Sequence, residues 1–165
     1  MNRLVTLILS AAFGLLALPA RAGSKPGEVP SVSFHVETDS NDNPKLIFPL
    51  DIDGKRHYFR RLPEVSAKDV QAFAPFPSSD GSTYGVLFGL KPGGANRLAS
   101  VTTERQGQNQ FMLAMVNGRP VDVVLIDKAV VDRVIVIWKG ITAAEIEQYD
   151  KLAPRIGAPD KKKKK

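Results

Sequence analysis

The sequence predicts an α+β fold: a mixed or antiparallel sheet with a helix packed on one face. Three observations carry that prediction. Residues 31–38 (SVSFHVET) alternate apolar and polar side chains, the period of a half-buried strand. Asn117-Gly118 sits between two apolar runs, and this pair supplies the positive φ angles that a two-residue hairpin turn needs. Residues 92–106 place Ala95, Leu98, Ala99 and Thr102 at i, i+3, i+4 and i+7, one face of a helix. Packing a helix on a sheet in one layer pair buries both apolar faces economically.

The elements follow in order. Val32, Phe34 and Val36 form the apolar face of the first strand. Residues 39–44 (DSNDNP) are a turn cluster. Residues 45–51 and 55–62 flank Asp53-Gly54 and predict a hairpin. Ser66 opens a short helix, with Asp69 placed to complete its cap. Residues 74–81 (APFPSSDG) read as a Pro-rich loop, the seam between residues 31–80 and 84–152. Residues 84–90 (YGVLFGL) are a strand. Lys91-Pro92-Gly93-Gly94 leads into the helix, with Pro92 in its first turn. Residues 110–116 and 121–126 are the strands around Asn117-Gly118, and Pro120 falls near the start of the return strand. Residues 134–138 (VIVIW) are continuously apolar, as in a strand covered on both faces or wedged between a helix and a neighbour; Gly140 breaks it. Thr142 and Glu145 form a capping box for a last helix ending near Leu152. Trp138 and Phe111 are assigned to the core.

The two ends of the chain differ from this middle. Arg3 precedes an apolar run over residues 4–18. Pro19-Ala20-Arg21-Ala22 then puts small residues at the −3 and −1 positions of a cut before Gly23. This is the plan of a secretory signal peptide over residues 1–22. The run is 15 residues long, short of the roughly 20 that span a bilayer. Residues 23–30 are a Pro/Gly linker, residues 31–152 a single domain, and residues 153–165 a solvated tail. The expected setting is extracytoplasmic, periplasmic or secreted, with no membrane span left after cleavage.

The chain has 165 residues, no Cys and 2 His. That excludes disulfides, thiolate metal sites and Cys nucleophiles. Its net charge is +6. Without Arg3 and Arg21, 21 basic residues remain against 17 acidic ones; without the five tail lysines as well, 16 remain. The folded part is therefore close to neutral. It has no basic face interleaved with aromatics, so no specific nucleic-acid partner is expected. Lys161, Lys162, Lys163, Lys164 and Lys165 could make salt-sensitive contacts with anionic surfaces, or simply solubilise the chain.

Candidate chemistry is sparse. Arg56, His57, Tyr58, Arg60 and Arg61 form the one polar, aromatic-bearing patch, suited to an anionic or glycan partner. His35 and Glu37 share a strand face near Asp39; the reading taken is a solvent-facing strand edge, not a metal site. Asp39-x-Asn41-x-Asn43 imitates a calcium loop, but Pro44 and Leu50 stand where Gly and Glu are needed, so it reads as a turn. No Gly-x-Ser-x-Gly or Walker motif occurs, and no cofactor or metal is expected.

Three segments carry a resemblance. They are Gly94-Ala95-Asn96-Arg97-Leu98-Ala99-Ser100-Val101-Thr102, Leu113-Ala114-Met115-Val116-Asn117-Gly118-Arg119-Pro120-Val121 and Gly140-Ile141-Thr142-Ala143-Ala144-Glu145-Ile146. In order and spacing they resemble the head of the first periplasmic domain of the SecD/SecDF protein-export subunits, over residues 84–152. The resemblance implies a helix over a mixed sheet and an extracytoplasmic setting. Trp138-Lys139 departs from it, standing where that family has small or polar residues. The family's multi-span membrane part has no counterpart in this sequence. The resulting expectation is a non-catalytic interaction module for an envelope protein or polymer, associated with the envelope or with protein export. The alternatives are an envelope hydrolase using carboxylates such as Asp51, Asp53 and Glu64, and polyanion adhesion through the lysine tail.

Overall fold

The computed structural model describes residues 30–158. The proposed leader and the five tail lysines lie outside the described residues. The order is β1 (Val32–Thr38), β2 (Ile47–Ile52), β3 (Lys55–Arg60), β4 (Val65–Ser66), a 3₁₀ turn (Ala67–Asp69), β5 (Val70–Pro77), β6 (Tyr84–Leu90), α1 (Pro92–Arg105), β7 (Phe111–Val116), β8 (Arg119–Leu125), β9 (Val134–Ile141) and α2 (Ala143–Leu152). The fold is α+β with antiparallel sheets, as the sequence predicts.

The larger sheet runs β2-β3-β1-β7-β8, and the smaller one β5-β6-β9. β3 pairs with the end of β1 at Glu37 and Thr38, while β4 pairs with its start at Ser33 and Phe34. One edge of β1 thus serves two successive strands. The other edge holds β7, in the register Phe34↔Ala114 and Val36↔Met112. That register turns Val32, Phe34, Val36, Met112, Ala114 and Val116 to one face. Phe73, Val86, Phe88, Ile135 and Ile137 from the smaller sheet join them in one core. α1 adds Ala95, Leu98 and Val101; α2 adds Ile146 and Tyr149. Phe34 meets Phe88 edge-on at 6.2 Å, and Phe88 meets Tyr149 at 5.3 Å.

Local chemistry explains the boundaries. Asp53 and Gly54, and likewise Asn117 and Gly118, have positive φ, so both hairpins turn in two residues. Asp39 and Asn43 close the turn after β1 by accepting the backbone N–H groups of Asn41 and Lys45. Ser66 and Asp69 form the capping box, but the helix is only a 3₁₀ turn. Burial alone would raise the Asp69 carboxyl; Arg97 at 2.7 Å and the Ser66 bonds together hold it below its usual range. Thr142 and Glu145 cap α2 reciprocally.

Five expectations need correction. Residues 74–77 are not loop but the end of β5, and the turn begins at Ser78. Pro75 and Pro77 are tolerated because β5 is an edge strand; Pro49 in β2 and Pro120 in β8 also stand on edges. Gly140 does not end β9, which runs on to Ile141. Residues 134–138 are not covered on both faces: Ile135 and Ile137 are buried, whereas Val134 and Val136 are half-buried. Trp138 is not core; it is 58% exposed. Phe111 is half-buried.

Candidate functional site: a cleft between two sheet edges

β8 ends the larger sheet and β9 ends the smaller one, so two unpaired strand edges face each other. At one end they are pinned together. The Trp138 N–H donates to Asp122 Oδ2 at 2.7 Å. Arg119 donates to the Gly140 carbonyl at 3.0 Å and pairs with Glu145 at 3.2 Å. Gly140 has φ +87°, and a Cβ there would stand 3.0 Å from the Val121 carbonyl. No side chain but glycine's suits that approach.

At the other end the edges part and enclose a cleft of ≈ 660 Å³. Phe34, Leu98, Met112, Ala114 and Ile135 line its depth. Leu125, Val131 and Trp138 line it too, at 43%, 74% and 58% exposure, three of the seven exposed large hydrophobic residues among those described. The loop 126–133 closes the far side. It is tied down by the Ile126 N–H on the Gln110 carbonyl (2.8 Å) and the Val130 N–H on Thr102 Oγ1 (2.9 Å). An apolar concavity of this size with a few polar groups at its rim has the make-up of a ligand site.

The residues singled out from the sequence fall elsewhere. On β3, Arg56, Tyr58 and Arg60 point to one face, His57 and Phe59 to the other. Arg56 is paired with Asp51 through two bonds of 2.9 and 3.1 Å. Arg60 reaches Glu64 at 3.4 Å, and Arg61 is exposed beyond the strand. The five therefore do not form one surface. Arg56, His57 and Tyr58 do line a small polar pocket with Glu37, Asp39 and Gln110.

The reading of His35 and Glu37 as a solvent-facing edge is overturned. The larger sheet carries a second apolar layer on that face: Leu113 and Phe59 are fully buried there, and Phe48 stacks edge-on against the His35 ring at 5.6 Å. His35 is buried, its Nδ1 donating to the Arg60 carbonyl and its Nε2 accepting from Ser33, both at 2.8 Å. Burial lowers its pKa, offset in part by the Arg60 bond. Glu37 is mostly covered and accepts from His57 Nδ1 at 2.6 Å and from the Phe111 N–H at 2.8 Å, tying β3 to β7 across β1. Asp51 and Asp53 lie at the turn of the β2–β3 hairpin and Glu64 beyond its open end, so these carboxylates are not gathered into one cleft. Among the described residues no group of three or more His, Asp or Glu side chains is placed to hold a metal.

No protein-family model matches this sequence, and no curated protein does. The fold is similar to two solved structures. One is described as "Structure and function of a membrane component SecDF that enhances protein export": TM-score 0.53, 15% identity, over 81% of this chain and 66% of that one. The other, "Crystal structure of SecDF in Super-membrane-facing form", matches with the same score, identity and share of this chain but over 20% of its own length. The chain thus spans less than two thirds of either. At this identity the likeness is one of fold. Among the described residues no helix is long and apolar enough to cross a membrane.

Proposed function

We propose that this chain is a non-catalytic extracytoplasmic module associated with protein export, which holds an apolar segment of another polypeptide in the β8–β9 cleft. The cleft carries the reading: two unpaired edges flank an apolar concavity whose rim exposes Leu125, Val131 and Trp138. The fold shared with SecDF and the leader-like residues 1–22 support the setting, with cleavage before Gly23. Hydrophobic rim residues supply affinity, and the strand edges supply backbone hydrogen bonds that ignore side-chain identity. Such a site suits many unfolded segments and no single one.

Trp138 is the only tryptophan, so its fluorescence reports on the cleft directly. Titration with a soluble peptide of alternating Val and Ser should shift its emission to the blue and saturate. Leu125→Ser should weaken that binding, and removal of Lys161, Lys162, Lys163, Lys164 and Lys165 should leave it unchanged. A flat Trp138 signal in the folded protein would refute the assignment, and binding that vanishes with the lysines would transfer it to the tail.

A further inference from the structure

The small polar pocket lies where β1 leaves β3. Their ladder ends at Thr38↔Tyr58, and the chain then turns through residues 39–46. The pocket has a volume of ≈ 340 Å³, at the small end of ligand sites. Every residue that lines it is polar, among them Glu37, Asp39, Ser40, His57, Tyr58 and Gln110. Three of these side chains are held at one end by a neighbour. Glu37 keeps its Oε2 on the Phe111 N–H and takes His57 Nδ1 on Oε1 at 2.6 Å, so the other imidazole nitrogen, Nε2, is left over. Arg105 is buried and donates from Nη1 to Gln110 Oε1 at 2.5 Å. A guanidinium only donates, so the amide oxygen stands on Arg105 and the NH2 is the other end. Asp39 Oδ1 takes the Asn41 N–H at 2.8 Å, which leaves Oδ2. His57 Nε2, the Gln110 NH2 and Asp39 Oδ2 have no hydrogen-bond partner among the described residues. With the imidazole neutral, they are two acceptors and a double donor, and the Tyr58 hydroxyl adds a group that does both.

Charge narrows the ligand. An anion would face the carboxylates of Glu37 and Asp39, while Arg56, the one Lys or Arg in the lining, is bound to Asp51 through two bonds. A cation would find both Glu37 oxygens taken and a single carboxylate oxygen left, on Asp39. A neutral ligand that both gives and accepts hydrogen bonds satisfies all three free ends, and a hydroxyl does both from one atom. We propose that this pocket binds one neutral sugar residue through its hydroxyls. Side chains already fixed at one end lose little freedom when a ligand arrives, which favours binding. The site is separate from the β8–β9 cleft and from the lysine tail.

NMR titration of the isotope-labelled protein with glucose, galactose and mannose in turn tests this. At least one sugar should shift the Gln110 NH2 and His57 ring signals and saturate, while the indole signal of Trp138 stays in place. The chain has 2 His, so the ring signals are simple to tell apart. Inorganic phosphate and methylammonium should shift neither signal. Asp39→Asn and Gln110→Glu each keep the held oxygen and reverse the free end, acceptor to donor in one and donor to acceptor in the other. Each should weaken sugar binding about tenfold. Asp39→Asn still accepts the Asn41 N–H and Gln110→Glu still pairs with Arg105, so both variants fold. The proposal is overturned if none of the three sugars shifts the two signals, if phosphate or methylammonium binds there as well as the sugar does, or if both substitutions leave the affinity unchanged.

Discussion

The two ends of the β8–β9 junction solve the same problem in opposite ways. Both are places where strand edges would otherwise expose unpaired backbone groups. At the pinned end, side chains do the capping: Asp122 takes the Trp138 N–H, and Arg119 takes the Gly140 carbonyl while held by Glu145. Charge-assisted bonds of this kind are short and strong. At the open end, nothing polar bridges the strands, and the walls are Leu98, Met112, Ile135 and their neighbours. An edge closed by charge is structural, whereas an edge left open over apolar walls is available to a partner.

That contrast can be broken at graded cost. Phe34 lies in both the core and the depth of the cleft, against Phe88. Phe34→Ala should cost about 3–5 kcal/mol in denaturant unfolding, because it removes a buried ring and leaves a cavity. Gly140→Ala forces a side chain into positive φ against the Val121 carbonyl; it should cost about 1–3 kcal/mol and loosen the pinned end. Faster amide exchange at Trp138 would show the loosening. Leu125→Ser changes only the exposed rim, and stability should stay within about 0.5 kcal/mol while peptide binding falls; Trp138→Ser also removes an edge-on contact with Phe76 at 6.1 Å and should cost about 1 kcal/mol. If instead Gly140→Ala leaves the Trp138 amide protected, the pinned end is held by packing and not by the close backbone approach.

A buried tyrosine sharpens the same point about polar groups. The Tyr149 ring fills the core between Phe73 and Phe88, but its hydroxyl is buried without a hydrogen-bond partner among the described residues. Burial and the nearby Glu145 push that hydroxyl's pKa upward. The ring is what the core uses, and the hydroxyl is a cost it tolerates.

Much of the architecture was legible in the residues because it is local. Asn117-Gly118 and Asp53-Gly54 specify their turns through positive φ, and Thr142 with Glu145 specifies a helix start through paired hydrogen bonds. β6 lies at Tyr84–Leu90, as read, and α1 at Pro92–Arg105, one residue short of the helix that periodicity placed over 92–106. The cleft was not legible. Trp138 and Leu125 read as ordinary apolar residues of strands, and nothing local says that their strands end two different sheets. His35 and Glu37 misled for the same reason: alternation assigned them to a wet face, yet the hairpin residues Phe48 and Phe59 make that face a second apolar layer.

The sequence by itself therefore determined the hairpin turns, the caps and the helix stripe, all set by residues within a few positions of one another. The tertiary structure alone decided which strands became edges, where prolines were tolerated, which histidine was buried and where an apolar cleft opened. Those outcomes depend on pairings between residues far apart in the chain, such as β1 with β7, and on how two sheets that share one core part at their rims. Short-range hydrogen bonding and backbone sterics can be read from neighbours; the exposure of an edge is a property of the whole sheet.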